Sequence, residues 1–210
     1  MKPYLKMNSK NTALLVVDVV NGCCHKDAEK KEWGISFSKI RNMVSKLARF
    51  IGNFRKKIKG NIIFIRITPW RKEYLAKNIV EFYDNEPRAY YYSDDNTGFS
   101  EDFYLIKPEK NDIVLTKNTY DAFANPKLKK ILKDKKIKYL IITGVFTDGC
   151  VLATICGAFQ AGLNLIILKD LIETTDVQKR QEIQKHLIEY VFPTMYGKTI
   201  TSRTFLSSWK

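Results

Sequence analysis

Histidine is almost missing from this chain: His25 and His186 are the only two in 210 residues, and they stand far apart. The four cysteines are no better grouped. Cys23 and Cys24 are neighbours, Cys150 and Cys156 lie far downstream, and no Cys-x-x-Cys pair occurs. A zinc site wants close Cys or His pairs, and a disulfide framework wants regular spacing in a short secreted chain, so neither organises this sequence. The reading is reduced thiols, no metal and no cofactor. Long apolar runs are lacking too. None approaches the roughly 18 residues of a membrane helix, so no membrane partner is expected. The start, "MKPYLKMNSKN", has neither the apolar core nor the cleavage site of a secretory signal, which leaves the cytoplasm as the expected location.

Arginine is scarce beside lysine: of 36 basic residues 28 are lysines, and the net charge is +14. The lysines concentrate in "FRKKIKG" (54–60) and "KLKKILKDKKIKY" (127–139), interleaved with Ile, Leu and Phe at helical steps. Such runs read as the wet faces of two helices. A nucleic-acid surface would bring arginine and aromatics together on one patch, so no specific nucleic-acid partner is expected, only attraction to polyanions at low salt.

What is present is an alternation. Apolar, β-branched runs at 12–19, 61–67, 112–117, 139–144 and 164–170 read as buried strands, with a short last strand near 198–202. Between them, helices are expected over about 36–58, over 126–135, from Cys150 onward and near 176–190. Ile40, Met43, Val44, Leu47, Ile51 and Phe54 recur at three- and four-residue steps. Strands alternating with helices predict an α/β fold, a Rossmann-like mostly parallel sheet covered on both faces. No repeat or low-complexity linker divides the chain, so 1–210 reads as one domain with 1–11 as an extension. The irregular piece is 68–111, too long for a plain connection and rich in tyrosine, which suits packing over a site or an interface.

In such a sheet ligands bind beyond the carboxyl ends of the strands. Asp18 closes the first strand, Lys117 the third, and Cys150 follows the fourth in "ITGVFTDGC". Each has a plain alternative: a loop carboxylate, a snorkelling surface lysine, a small core residue. Together they make a chemical set. A helix start and a nearby cation lower a thiol pKa from about 8.5 towards roughly 3.5–7.5. A carboxylate beside them can take the thiol proton and return it to a leaving amine. The turn also offers backbone N–H groups to an oxyanion.

The blocks "LLVVDVVNG", "LTKNTYDAF" and "ITGVFTDGCVLAT" resemble, in order and spacing, the signature blocks of the isochorismatase-like cysteine hydrolase superfamily. The resemblance implies a catalytic Asp18–Lys117–Cys150 triad and a non-proline cis peptide between Val145 and Phe146. It also implies an oxyanion hole made by the backbone N–H groups of Phe146 and Cys150. Homo-oligomers, dimers or tetramers, are common in that superfamily and are expected here. The departures are Val20 where many members carry Gln, Phe146 where a small residue is usual, and "RITPWRKEY" (66–74) without the histidines of metal-binding nicotinamidases. "TDGC" is near the "TSGC" of N-carbamoylsarcosine amidohydrolase relatives, which points to carbamoyl or small carboxamide substrates. Asn21, Trp33, Trp70, Tyr120, Phe123 and Thr147 are candidates for the pocket. The expected function is a metal-independent cysteine hydrolase cleaving a C–N bond of a small amide or ureido compound through a thioester. The alternatives are vinyl-ether hydrolysis of an isochorismate-like acid, and a non-catalytic protein with a reactive thiol.

Overall fold

In the computed structural model, which describes residues 7–30, 34–89, 91 and 93–209, every residue of strand β1 (Thr12–Val17) is buried. Leu14 and Val16 enter one core cluster, and Ala13, Leu15 and Val17 the other. A strand covered on both faces reads as an unbroken apolar run for this reason. Five strands join it: β2 (Asn61–Ile67), β3 (Ile113–Lys117), β4 (Tyr139–Val145), β5 (Asn164–Glu173) and β6 (Gly197–Ile200). All pairings are parallel, in the order β3-β2-β1-β4-β5-β6. The order reverses between β1 and β4, and the crevice beyond their carboxyl ends is where such a sheet takes a ligand.

Helices α1 (Asn21–Cys24), α2 (Ser38–Asn53), α3 (Lys77–Asn85), α4 (Pro126–Asp134), α5 (Leu152–Gln160), α6 (Gln178–His186) and α7 (Ser202–Ser208) complete the fold. The face carrying α2 and α7 holds one cluster, and the face carrying α4 and α5 the other. Helix α2 buries Ile40, Met43, Val44, Leu47, Phe50 and Ile51. Each such side chain contributes about 1.5–3 kcal/mol by leaving water. The first turn of α2 is capped from far along the chain. Asp176, just past β5, accepts from Ser38 N–H at 3.0 Å, Lys39 N–H at 3.3 Å, Ser38 Oγ at 2.7 Å and Ser36 Oγ at 2.5 Å. Partial burial opposes the Asp176 charge, but these hydrogen bonds outweigh it and hold the carboxyl below its usual range.

One glycine is obligatory near the site. Gly144 has φ +116°, and a Cβ there would overlap the backbone of Val17. Its absence lets β4 close on β1 immediately before the turn that carries Cys150.

The structure differs from the sequence expectation at several element boundaries; β5 runs three residues past the expected 164–170, and the helix expected to 58 is α2 to Asn53 with a wider-wound turn over Phe54–Ile58. The first strand stops at Val17, because Asp18 turns to φ 52°. The helix expected to open at Cys150 begins at Leu152, after a wide turn over Thr147–Val151 broken by Gly149 at φ −128°, ψ −107°. The 68–111 segment contains helix α3. The helix near 176–190 is α6 followed by a wider-wound stretch, Leu187–Tyr196, which accommodates Pro193. Helix α7 follows the last strand, its start fixed by Asp170, which accepts from Ser202 N–H and Oγ, both at 2.7 Å.

Candidate active site

The left-handed Asp18 follows β1 directly but stays tied to the sheet, its N–H donating to Ile65 O at 2.9 Å. Short polar residues tolerate that conformation better than most. Lys117 is the last residue of β3, two strands away, and its stem spans the end of β2. Its Nζ lies 2.7 Å from Asp18 Oδ2, 2.9 Å from Thr119 O and 3.2 Å from Cys150 Sγ. The ammonium hydrogen-bonds to Thr119 O and Cys150 Sγ and pairs in charge with Asp18, which makes a lysine at 4% exposure tolerable beside a carboxylate at 1%.

The peptide joining Val145 to Phe146 is cis. Beyond it, Gly149 N–H and Val151 N–H both donate to Phe146 O, at 3.0 and 3.1 Å, and curl the chain so that Cys150 meets Lys117. Asp148 in this turn accepts two hydrogen bonds from Arg180, from Nε at 2.6 Å and Nη2 at 2.7 Å, and one from Thr174 Oγ1 at 2.5 Å. Cys150 opens into a cavity of about 550 Å³. Trp70, Tyr83, Tyr120 and Phe146 give its aromatic lining, and Arg88, Asp148 and Arg180 its charged groups. The Trp70 ring stands 5.8 Å from Tyr83 and 5.4 Å from Tyr120, whose hydroxyls meet at 2.7 Å. Among the described residues no three His, Cys, Asp or Glu side chains gather as a metal set, and no helix is long and apolar enough to cross a membrane.

A family model for the isochorismatase domain matches residues 12–203. This chain belongs to the isochorismatase family. The family is one of hydrolases, and the chain is an enzyme of that class. Over 98% of its length it is 25% identical to the ureidoacrylate amidohydrolase RutB of Variovorax paradoxus (strain S110), covering 84% of that protein. An isochorismatase family protein from Burkholderia thailandensis superimposes with a TM-score of 0.75 at 19% identity, over 94% of this chain and 95% of the other. N-carbamoylsarcosine amidase from Thermoplasma acidophilum does so with a TM-score of 0.65 at 21% identity, over 93% and 97%. The two structural likenesses carry the fold alone.

The electrostatics of this family member depart from the sequence expectation. The Cys150 thiol is not pulled down towards neutrality. Burial pushes it up to about 12 against an ordinary 9.0, Lys117 opposes the rise, and Asp18 adds to it. Burial also raises Asp18, with Lys117 the main opposing influence. Burial disfavours the Lys117 cation, but Asp18 and Cys150 outweigh it and hold its pKa above the usual lysine range. Burial thus keeps the thiol neutral and works against the Asp18 charge, while the Lys117 cation works to hold that charge in place. The expected lowering relied on a helix start at Cys150 and left out the cost of ionising a buried sulfur.

Of the candidate pocket residues, Trp70 and Tyr120 line the cavity with Cys150. Trp33 lies outside the described residues. Asn21 opens α1, its N–H donating to Asp102 O at 2.8 Å, and is not part of the lining. Thr147 is the first residue of the turn and is fully buried. Phe123 belongs to the short turn Ala122–Ala124, where Asp121 accepts from its N–H at 2.8 Å; its ring joins Leu132 and Ile137 along a different groove. Sequence reasoning missed Tyr83 and Arg180. Tyr83 sits on α3, the helix hidden in the long irregular segment. Arg180 lies on α6, 30 residues past the nucleophile, and nothing local links it to "TDGC".

Proposed function

We propose that this chain is a metal-independent cysteine hydrolase that opens the C–N bond of a small amide or ureido/carbamoyl compound through a thioester on Cys150. The observation that carries the reading is the Lys117 ammonium, bridging Asp18 at 2.7 Å and Cys150 at 3.2 Å where the sulfur meets the cavity. The names of two relatives, an amidohydrolase and an amidase, support it.

Each group has a task that follows from its surroundings. With the substrate carbonyl over Cys150, Asp18 takes the S–H proton as sulfur bonds to carbon, and Lys117 stabilises the negative charge on both. The carbonyl electron pair moves to oxygen, facing the backbone N–H groups of Phe146 and Cys150. A carboxyl whose pKa is raised by burial can hold that proton for the next step. It passes the proton to the departing nitrogen, the C–N bond breaks, and a thioester remains. Water then enters, Asp18 takes its proton as the hydroxyl bonds to the acyl carbon, the C–S bond breaks, and the proton returns from Asp18 to sulfur as the acid leaves. A thiol at about 12 stays neutral until a substrate arrives, so nucleophile formation is coupled to binding.

Mass spectrometry of the protein incubated with ureido acids and small amides tests the proposal, with an acyl mass on Cys150 as the expected result. Cys150→Ala should lose turnover by at least about 10³-fold while keeping its fold. Near-native activity in that variant would transfer the reading to vinyl-ether hydrolysis, where Asp18 alone donates the proton. Adduct formation by thiol reagents, with no turnover across the panel, would leave a reactive-thiol protein.

A further inference from the structure

We propose that Arg180 is a positioning residue for the nucleophile turn, holding Phe146 and Cys150 in the geometry that receives an oxyanion; this rests on the cysteine-hydrolase reading above. The turn is poorly held by its own residues. Its backbone ties include the two bonds to Phe146 O and one from Leu152 N–H to Gly149 O, Gly149 breaks the helical path within it, and no side chain caps its start. Apart from Lys117 on the sulfur itself, hydrogen bonds from outside converge on Asp148, two residues before the nucleophile. Thr174, fully buried just past β5, gives one, and Arg180 in the first turn of α6 gives two.

The same guanidinium covers the Phe146 ring, with Cζ 4.9 Å from the centroid, while Phe37 lies 6.0 Å from that ring. One planar cation thus touches the turn at both the residue after the cis peptide and the residue two before the sulfur. These contacts act on where the turn sits. Only arginine suits both contacts, because lysine offers neither a two-pronged donor nor a flat face.

Arg180→Lys is therefore the informative variant: it keeps the charge and loses the fork and the stack. Displacing a reacting group by about 1 Å costs on the order of 10²-fold. The expected result is a fall in kcat of about tenfold or more, with KM within about threefold. Iodoacetamide should alkylate Cys150 at an unchanged rate and with an unchanged pH profile, because alkylation needs no oxyanion site. Propionaldehyde supplies a readout that does not depend on turnover. Cys150 sulfur adds to its carbonyl carbon, and the thiol proton passes through Asp18 to the oxygen, giving a neutral thiohemiacetal. Adduct affinity should fall in Arg180→Lys in parallel with kcat. Asp148→Asn, which keeps the Phe146 stack, should show the same split at smaller size.

A rise in KM with kcat intact would make Arg180 a substrate ligand and overturn the proposal. Parallel loss of alkylation and thermal stability would reduce it to a general structural contact and overturn it too. If wild-type Cys150 adds no aldehyde and accepts no acyl group, the nucleophile reading itself has failed. Wild-type addition with an unaffected Arg180→Lys would remove the positioning role alone.

Discussion

Asp18, Lys117 and Cys150 form a floor set by the ends of β1 and β3 and the turn after β4, whereas Trp70, Tyr83 and Arg88 of the wall come from the long connection between β2 and β3. The floor is dry and charged, and its ammonium is engaged. The wall is aromatic and partly open: Tyr120 is 37% exposed, and Arg88 pairs with Glu86 near the surface. The difference teaches where rate and selectivity reside. Strand ends in a parallel sheet move little, so groups that must meet within a few tenths of an ångström belong there. A connection can vary in length and sequence without disturbing the sheet, so shape selection belongs on it.

The sharpest way to break this contrast is Lys117→Met. Loss of one oriented charge in a dry site costs on the order of 10²–10³ in rate, and leaving Asp18 buried without its partner costs about 3–5 kcal/mol unless the carboxyl protonates. The expected outcome is a large fall in turnover with a lower melting temperature, checked by steady-state assay and thermal melts. The pH behaviour of the wild type follows from the same charges. The thiol ionises near 9.0 when unfolded and at about 12 when folded, so its contribution to stability is present below 9.0 and is lost as pH rises towards about 12. Alkylation of Cys150 should accordingly keep accelerating through pH 9 instead of levelling off there. A plateau near neutral pH would show a thiolate-like resting state and a different floor.

The wall should respond in a milder and different way. Tyr83→Phe or Tyr120→Phe removes the 2.7 Å contact between the two hydroxyls. A neutral hydrogen bond contributes about 0.5–1.5 kcal/mol, so KM should change by roughly two- to tenfold with kcat nearly constant. A matching fall in kcat would mean that the wall positions the reacting carbonyl, and the division between floor and wall would collapse.

The floor was legible in the sequence because each of its members ends or follows an apolar run. Position at a strand end can be read from "LLVVDV", "IVLTK" and "IITGVFTDGC". The state of the thiol was not legible, since burial depends on the whole layer of α4, α5 and the strands beneath. Trp70 and Tyr120 stand close enough to strand ends to be nominated. Tyr83 does not, because it sits on the short helix α3 in the middle of the long segment between β2 and β3, far along the chain from either strand end. Phe123 shows the reverse error: closeness in sequence to Lys117 puts it beside the site along the chain, but the Asp121-capped turn carries its ring elsewhere.

The smallest expected effect concerns the frame that supports the wall from behind. Asp176 caps α2, whose preceding residue Phe37 stands 6.0 Å from the Phe146 ring. If α2 were loosened, Phe146 would lose that backing, and a fault in the frame would reach the cavity. Asp176→Asn keeps the size and one acceptor oxygen but removes the charge. Loss of a good helix cap costs about 1 kcal/mol, and asparagine is itself a good cap, so the destabilisation should be no larger than about that. The pH dependence separates charge from shape. A carboxyl with a depressed folded pKa contributes stability that is present above its ordinary 3.8 and is lost as pH falls through the folded value. The difference between wild type and Asp176→Asn should therefore be full at neutral pH and shrink as the pH falls below about 4, with kcat and KM unchanged in neutral buffer. Denaturant melts across that range measure it. A gap that persists undiminished into acid would mean that the carboxylate charge contributes nothing at α2, and a change in KM would show that the frame and the wall act as one unit.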